Sequence, residues 1–388
     1  MSVRTVRATG GTRLHVIVTG GAGFIGSNVA AAFLRDDHRV TVFDSLQRPG
    51  SERNLDWLAG QEHSANLRFV QGDTRDAELV RSVLGDPDVH LVFHFAAQTA
   101  VTTSLTAPRE DLEVNVLGTH NVLEAIRQSA APTPPMLFFT STNKVYGALP
   151  HRPAVESGTR YRFVDPTADA YGISEQEPLD FHSPYGCSKG AADQYVHDYA
   201  RIYGLRTVVF RMSCIYGPRQ FGTEDQGWVA HFMLAVAEER ALTIYGNGKQ
   251  VRDLLFIDDL VRAFKLAALH IERTAGNIYN IGGGPANTIS IWQELRPRLE
   301  KLSGRHLRVD NQAWRPGDQP VYVSDIRRAQ HDFGWEPQVS TDDGLTRLWN
   351  WAVSLSGARQ PITNGQQPKR PLCLPVPQPD VALASRSA

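Results

Sequence analysis

Tyr185 and Lys189 lie four residues apart in Ser183-Pro184-Tyr185-Gly186-Cys187-Ser188-Lys189-Gly190, a spacing that puts both on one face of a helix. A phenol whose ordinary pKa is about 10 is a poor base at neutral pH. An ammonium group one turn away favours the phenolate and lowers that pKa, so the pair reads as a device for moving a proton. Ser183 and Pro184 suit the start of such a helix, the serine oxygen capping free amides and the proline ring fitting the first turn. Standing alone, Tyr-x-x-x-Lys is more often a pair on an amphipathic surface helix. The meaning of this one comes from the elements around it.

The apolar run Leu14 to Val18 is a strand, followed by Thr19-Gly20-Gly21-Ala22-Gly23-Phe24-Ile25-Gly26 and a periodic helix to Arg35. Gly20, Gly23 and Gly26 recur every third residue: a sharp turn, a close approach of backbone amides to a pyrophosphate, and a helix packed tightly on its strand. Gly20, Gly23, Phe24 and Ile25 are therefore cofactor-binding candidates. A second strand, Arg39 to Phe43, ends at Asp44, where a carboxylate receives ribose hydroxyls and repels a 2′-phosphate. This favours NAD over NADP, with Arg48 nearby as the opposing signal. At the ends of the third strand, Leu67 to Asp73, and the fourth, Leu91 to Ala97, Asp73 and Thr74 face the adenine edge and Ala96, Ala97 and Gln98 the rest of the dinucleotide. His94, inside the fourth strand, reads as a core histidine.

A helix is expected over Asp111 to Ala130, with Leu112, Val116, Leu123 and Ile126 as its apolar face. The fifth strand, Met136 to Phe139, leads into Thr140-Ser141-Thr142-Asn143-Lys144-Val145-Tyr146-Gly147, which sets hydroxyls at a strand C-terminus, where ligands bind in open α/β sheets. Residues 151–182 are polar and aperiodic and read as a long loop near the substrate cleft. The Tyr185 helix to about Tyr203 and a sixth strand, Thr207 to Met212, rejoin the sheet. Alternating strands and helices specify an α/β fold, a Rossmann-type doubly wound parallel sheet, and the looser pattern beyond it a smaller mixed α/β C-terminal lobe that includes Asn277 to Ile281. The division expected is a flexible leader (1–12), an NAD-binding domain (13–182, joined by 184–203 and 207–212), a mainly substrate-binding lobe (213–355) and a disordered tail rich in Pro, Gln, Ser and Ala (356–388).

Composition narrows the function. With 388 residues, 41% of them apolar, the chain has a sizeable core, and its net charge of −1 provides no bulk field for nucleic acid or an anionic membrane. Cys187, Cys214 and Cys373 show no metal-ligand spacing and suit a reducing compartment. No signal peptide, membrane span or metal site is expected, and the cytoplasm is the default location.

With the glycine turn, Asp44, the Thr142 segment and Tyr185/Lys189 in order, Leu14 to Ser354 resembles the extended short-chain dehydrogenase/reductases acting on nucleotide sugars. Ser141 to Gly147, Asp180 to Tyr195, Asp225-Gln226-Gly227-Trp228-Val229 and Gly246 to Asp253 resemble their CDP-tyvelose (CDP-paratose) 2-epimerase branch. The resemblance implies Thr142, Tyr185 and Lys189 as catalytic residues, the last two also touching the cofactor, and Thr103, Thr142, Asn143, Lys144, Gln226, Arg252 and Arg315 as substrate-binding residues, the two arginines on the diphosphate. Dehydratases of the superfamily carry Asp-Glu after the active-site Thr; Asn143 and Lys144 stand here instead, which argues against elimination of water. Cys214 occupies a position where many relatives have a substrate-touching Asn, and reads as an inert small filler. The implied reaction is oxidation at sugar C2 by a tightly bound NAD that is not consumed, rotation of the 2-keto sugar and return of the hydride. The alternatives are a 4-epimerase of a UDP-hexose, a keto-sugar reductase and a silent NAD-binding regulator. The expected partners are a CDP-linked sugar and further copies of the chain, as a homodimer or homotetramer.

Overall fold

The computed structural model describes residues 13–315 and 318–357. The expected leader lies outside this range, as does the expected tail beyond residue 357; Ser356 and Gly357 close the helix Thr341–Gly357. The glycine-turn unit is strand β1 (His15–Thr19), helix α1 (Phe24–Arg35) and strand β2 (Arg39–Asp44), followed by helix α2 (Ser51–Ala59), strand β3 (Leu67–Gln71) and helix α3 (Ala77–Leu84). Strand β4 (Leu91–His94) leads through short helices α4 (Val101–Thr106) and α5 (Pro108–Leu112) to α6 (Gly118–Arg127) and β5 (Met136–Thr142).

The large sheet has seven strands, in the order Asn277–Ile281, β8 (Thr207–Met212), β5, β4, β1, β2, β3, all parallel. Strand order reverses between β1 and β4, and such a switch point opens a crevice beyond the strand C-termini. The strand interiors are apolar because both faces are covered. Val16, Val18, Phe93, Phe138 and Phe210 point to one face and Ile17, Val92, Leu137, Phe139 and Val209 to the other. On the first face Phe264 centres a ring cluster, 5.2 Å from Phe93 and 5.0 Å from Phe210. Each such ring removed from water is worth roughly 1.5–3 kcal/mol.

Three expectations are corrected. Asn277–Ile281 does not belong to the lobe: it pairs with β8 and completes the large sheet. Residues 151–182 are not a loop beside the cleft. They form a hairpin, β6 (Ala154–Ser157) and β7 (Arg160–Phe163), and a helix, α7 (Pro166–Tyr171), that bury Phe163, Ala168 and Ile173 against Tyr146, Val321 and Tyr322. Ion pairs such as Arg152–Glu177 (2.8 Å) and Arg160–Glu294 (2.5 Å) settle the charges that made the stretch look unstructured. The expected single helix from Asp111 begins at Pro108 and carries a π-turn at Glu113–Leu117. That turn buries Asp111 and Asn115 and leaves Leu112 51% exposed, while Leu123 and Ile126 are fully buried as expected, so periodicity reads the inner face correctly after the turn and not before it.

Beyond the sheet, Val251–Asp253 pairs antiparallel with Thr288–Ser290 and parallel with Val321–Tyr322, a mixed lobe over the crevice. No helix among the described residues is long and apolar enough to cross a membrane.

Candidate active site

Helix α8 (Ser183–Tyr203) carries Tyr185 and Lys189, the pair expected to move a proton. Ser183, at φ +66°, turns the chain into it, its Oγ accepts from the Gly186 amide (3.2 Å), and Pro184 occupies the first turn. Tyr185 and Lys189 share one face and both line a cleft of about 520 Å³ at the strand C-termini. Thr142, the last residue of β5, lines the cleft with them and acts against the rise of the Tyr185 pKa. Its Oγ1 accepts from the Lys144 amide (3.2 Å) and lies 3.4 Å from Asn143 Oδ1. The Lys189 Nζ sits 4.1 Å from the centroid of the Phe139 ring.

The electrostatics of the pair differ from the expectation. Burial pushes Tyr185 up to about 12, opposed by Thr142, and pushes Lys189 down to about 7, opposed by Asp193 and Asp111. Desolvation sets the direction for both groups, so in the resting site Tyr185 holds its proton.

Asp193 anchors this helix. Its carboxylate takes two hydrogen bonds from the Arg211 guanidinium on β8, each 2.9 Å, and Arg211 also donates to Tyr146 Oη (3.2 Å), which donates to Asn280 (2.7 Å). His94 is a core residue as expected: its ring nitrogens bond Thr19 (2.7 Å) and Thr119 (2.9 Å), and burial pushes it down to about 3, so it stays neutral.

At the other end of the cleft the glycine turn has the shape a dinucleotide requires. Gly20 is at φ +66°, and a Cβ there would stand 2.6 Å from the Ala96 amide nitrogen; at Gly26 it would stand 2.2 Å from the Gly20 carbonyl oxygen, so that close approach is to the turn itself. Gly20→Ala is expected to cost about 1–3 kcal/mol of stability, measured as a lower urea midpoint, because it combines a strained φ with a backbone clash. Gly23, Phe24 and Ile25 line the cleft where α1 begins without a side-chain cap, leaving its first amides open to an anion. Asp44 closes β2, accepting from the amides of Ala22 (3.0 Å) and Leu46 (2.8 Å); burial raises its pKa and these hydrogen bonds oppose the rise. Ser141 Oγ and Asn54 Oδ1, on cleft-lining residues, are buried without a partner. A turn that tolerates no Cβ, open helix amides and unpartnered polar atoms together fit a bound dinucleotide.

The structure brings Asp73, Thr74, Ala96, Ala97, Gln98, Asn143, Lys144 and Gln226 to the same cleft. Two of these side chains are already committed: Asp73 is gripped by Arg75 (2.7 and 3.1 Å), and Gln98 folds back on Ala100 and Asp111. The Lys144 pKa is lowered by burial and by Arg252. Thr103, Arg252 and Arg315 do not line the cleft. Thr103 is on the exposed side of α4; Arg252 is drawn to Asp318 (2.6 Å); Arg315 lies over the Tyr245 ring, donating to the Glu224 carbonyl (3.3 Å). Cys214 lines it at φ +39° with its thiol pKa raised by burial, in keeping with an unreactive filler. Asp111 and Asn115 carry no motif and were missed by sequence reasoning. Their four-residue spacing does not set them apart from the other polar residues of the segment, such as Glu110 and Glu113, so the sequence carried no signal for them.

The profile of the family described as GDP-mannose 4,6 dehydratase matches residues 17–348. The CDP-paratose 2-epimerase of Salmonella typhi is 43% identical over 347 residues, 88% of this chain and 100% of that protein. A dTDP-glucose 4,6-dehydratase of Escherichia coli is 32% identical over 91% of this chain and 96% of its own length. Among solved structures, the UDP-glucose 4-epimerase of Thermotoga maritima with UDP-glucose superposes with TM-score 0.74 at 29% identity, over 88% of this chain and all of that one. The dTDP-glucose 4,6-dehydratase DesIV of Streptomyces venezuelae, solved with NAD bound, gives TM-score 0.74 at 30% identity, over 89% and 98%.

Proposed function

The chain belongs to the GDP-mannose 4,6-dehydratase family of extended short-chain dehydrogenase/reductases, and we propose that within it the chain inverts C2 of a CDP-linked sugar of the paratose/tyvelose kind. The observation that carries this reading is the end of β5. Thr142 and Tyr185 line the same cleft, and the next two cleft residues after Thr142 are Asn143 and Lys144, so no acid/base pair of carboxylates stands there to strip water from a sugar. The carboxylates lining the cleft among the described residues are Asp44, Asp73, Glu110 and Asp225, none of them adjacent in sequence to Thr142. The identity to the CDP-paratose 2-epimerase over its whole length supports the same branch.

NAD, held along the glycine turn, Asp44 and Ala96 to Gln98, supplies when bound a cationic hydride acceptor that later returns the hydride. The chain's own residues handle the proton. Tyr185 takes it from the C2 hydroxyl, directly or through Thr142, and gives it back after inversion; a phenol desolvated to about 12 is a strong base once ionised. A cationic ligand in the cleft lowers that pKa by the electrostatics that burial opposes. Lys189 stabilises the phenolate and holds the cofactor ribose. Asn143, Lys144 and Gln226 seat the sugar nucleotide.

Incubation with CDP-paratose and CDP-glucose in D₂O, without added cofactor, tests the proposal by proton NMR. Inversion at C2 with the C2 proton retained is expected, together with NAD in the supernatant of the denatured protein. Deuterium at C2 would exclude hydride return, and inversion of a UDP-hexose at C4 alone would move the assignment to a 4-epimerase, for which the Thermotoga maritima structure is the precedent.

A further inference from the structure

Asp111, on α5, is fully buried, and its two carboxylate oxygens are treated differently. Oδ1 accepts from Gln98 Nε2 (2.8 Å) and Asn115 Nδ2 (3.2 Å), while Oδ2 is buried without any hydrogen-bond partner. The π-turn at Glu113–Leu117 places Asn115 so that its Nδ2 also reaches Ser188 Oγ (2.9 Å), the residue before Lys189, and Ser188 in turn donates to the Tyr185 carbonyl (3.2 Å). A buried carboxylate with an unused oxygen is thus fixed, through one asparagine, against the turn of α8 that carries the catalytic pair. Oδ2 is therefore the polar atom of this cluster that calls for a group to face.

Lys189 is the matching group. It is buried, and no acidic side chain forms an ion pair with its ammonium among the described residues. Two carboxylates act on it, Asp193 and Asp111. Asp193 is spent on Arg211 through two hydrogen bonds. His94 beneath it is neutral, Tyr185 faces Thr142 and Asp111, and Glu110 and Glu113 on the Asp111 turn act on Arg75. Asp111 is the carboxylate with an oxygen to spare.

We propose that Asp111 is a positioning residue whose buried charge is the counter-ion of the Tyr185/Lys189 pair, holding Lys189 as an ammonium inside the closed cleft. The inference rests on the reading of Tyr185 and Lys189 as the proton-transfer pair. The sign follows from charge alone: an anion raises the pKa of both a neighbouring ammonium and a neighbouring phenol, and Asp111 acts on both groups in that direction. Removing it moves both ionisations toward acid.

Asp111→Asn keeps an acceptor for Gln98 and Asn115 and removes only the charge. The chain has six lysines, so ε-¹³C-lysine labelling gives few signals, and Lys189 is assigned by its absence from Lys189→Arg. In the purified protein without substrate, the Lys189 midpoint, about 7 in the parent, is expected to fall by about one pH unit or more in Asp111→Asn. Asp111→Glu is expected to restore it. The pH profile of kcat is expected to move to lower pH on both limbs. An unmoved Lys189 midpoint in folded Asp111→Asn, or a profile lowered in height without displacement, would overturn the proposal. If the midpoint moves while the parent inverts no CDP-sugar, Asp111 keeps its role and the epimerase reading is what fails.

Discussion

Tyr185→Phe is expected to lower kcat for inversion by about 10²–10⁴-fold, with KM little changed and the thermal midpoint within a few degrees of the parent. The side chain's polar contact is with Thr142, and the buried ring keeps its packing, so the substitution removes a proton carrier and little else. The phenol's elevated pKa sharpens the expectation. A group that holds its proton in the resting site and gives it up only beside a cation is one whose loss cannot be made good by water, because burial excludes water from it. Thr142→Ala is expected to fall between the two, since Tyr185 can still reach a hydroxyl directly. Single-turnover measurement of the C2 inversion reads the step itself, and an unreduced rate in Tyr185→Phe would remove Tyr185 from the mechanism and reopen the non-catalytic NAD-binding alternative.

What sequence shows and what it hides divide along physical lines. The glycine turn was legible because two of its glycines answer a steric demand: the Gly20 and Gly26 positions admit no Cβ. The strands were legible as apolar runs, because both faces of the sheet are covered. Tyr185 and Lys189 were legible by spacing, but not their pKa directions: a four-residue separation shows the mutual attraction of a phenolate and an ammonium, and desolvation enters only when the fold is known. The helix at Asp111 misled for a related reason. Periodicity assigns Leu112 and Val116 to the interior, but the π-turn adds a residue and rotates Asp111 and Asn115 inward, where the Gln98 backbone takes both ends of the Asn115 amide (2.9 and 3.1 Å). Polar side chains that satisfy one another in a core leave no hydrophobic signal. Residues 151–182 failed similarly, their charges pairing within the stretch and with the lobe. Arg252 and Arg315 could be located by motif, but Asp318 and Tyr245 determine where their guanidinium groups go.

The same logic of buried charge sets the largest stability effect expected of a single substitution. Arg211→Met should cost about 3–5 kcal/mol, because Asp193, with no exposed surface, loses both bonds that neutralise it and cannot reach water. Gln194 Nε2, at 2.9 Å from Asp193 Oδ1, supplies one neutral donor and offsets only part of this, and Tyr146 loses the guanidinium that donates to it. The penalty is that of a stranded charge rather than the worth of the pair. It follows that Asp193→Leu combined with Arg211→Met should recover most of the loss, since replacing a buried pair by apolar side chains is often close to neutral. Urea denaturation distinguishes the cases. A lower midpoint at unchanged m-value in Arg211→Met, with recovery in the double variant, is expected. A double variant no more stable than the single one would mean that the bonds themselves hold α8 to β8. The helix carrying Tyr185 and Lys189 would then be held in place by its ion pair with β8, and activity should fall in step with stability.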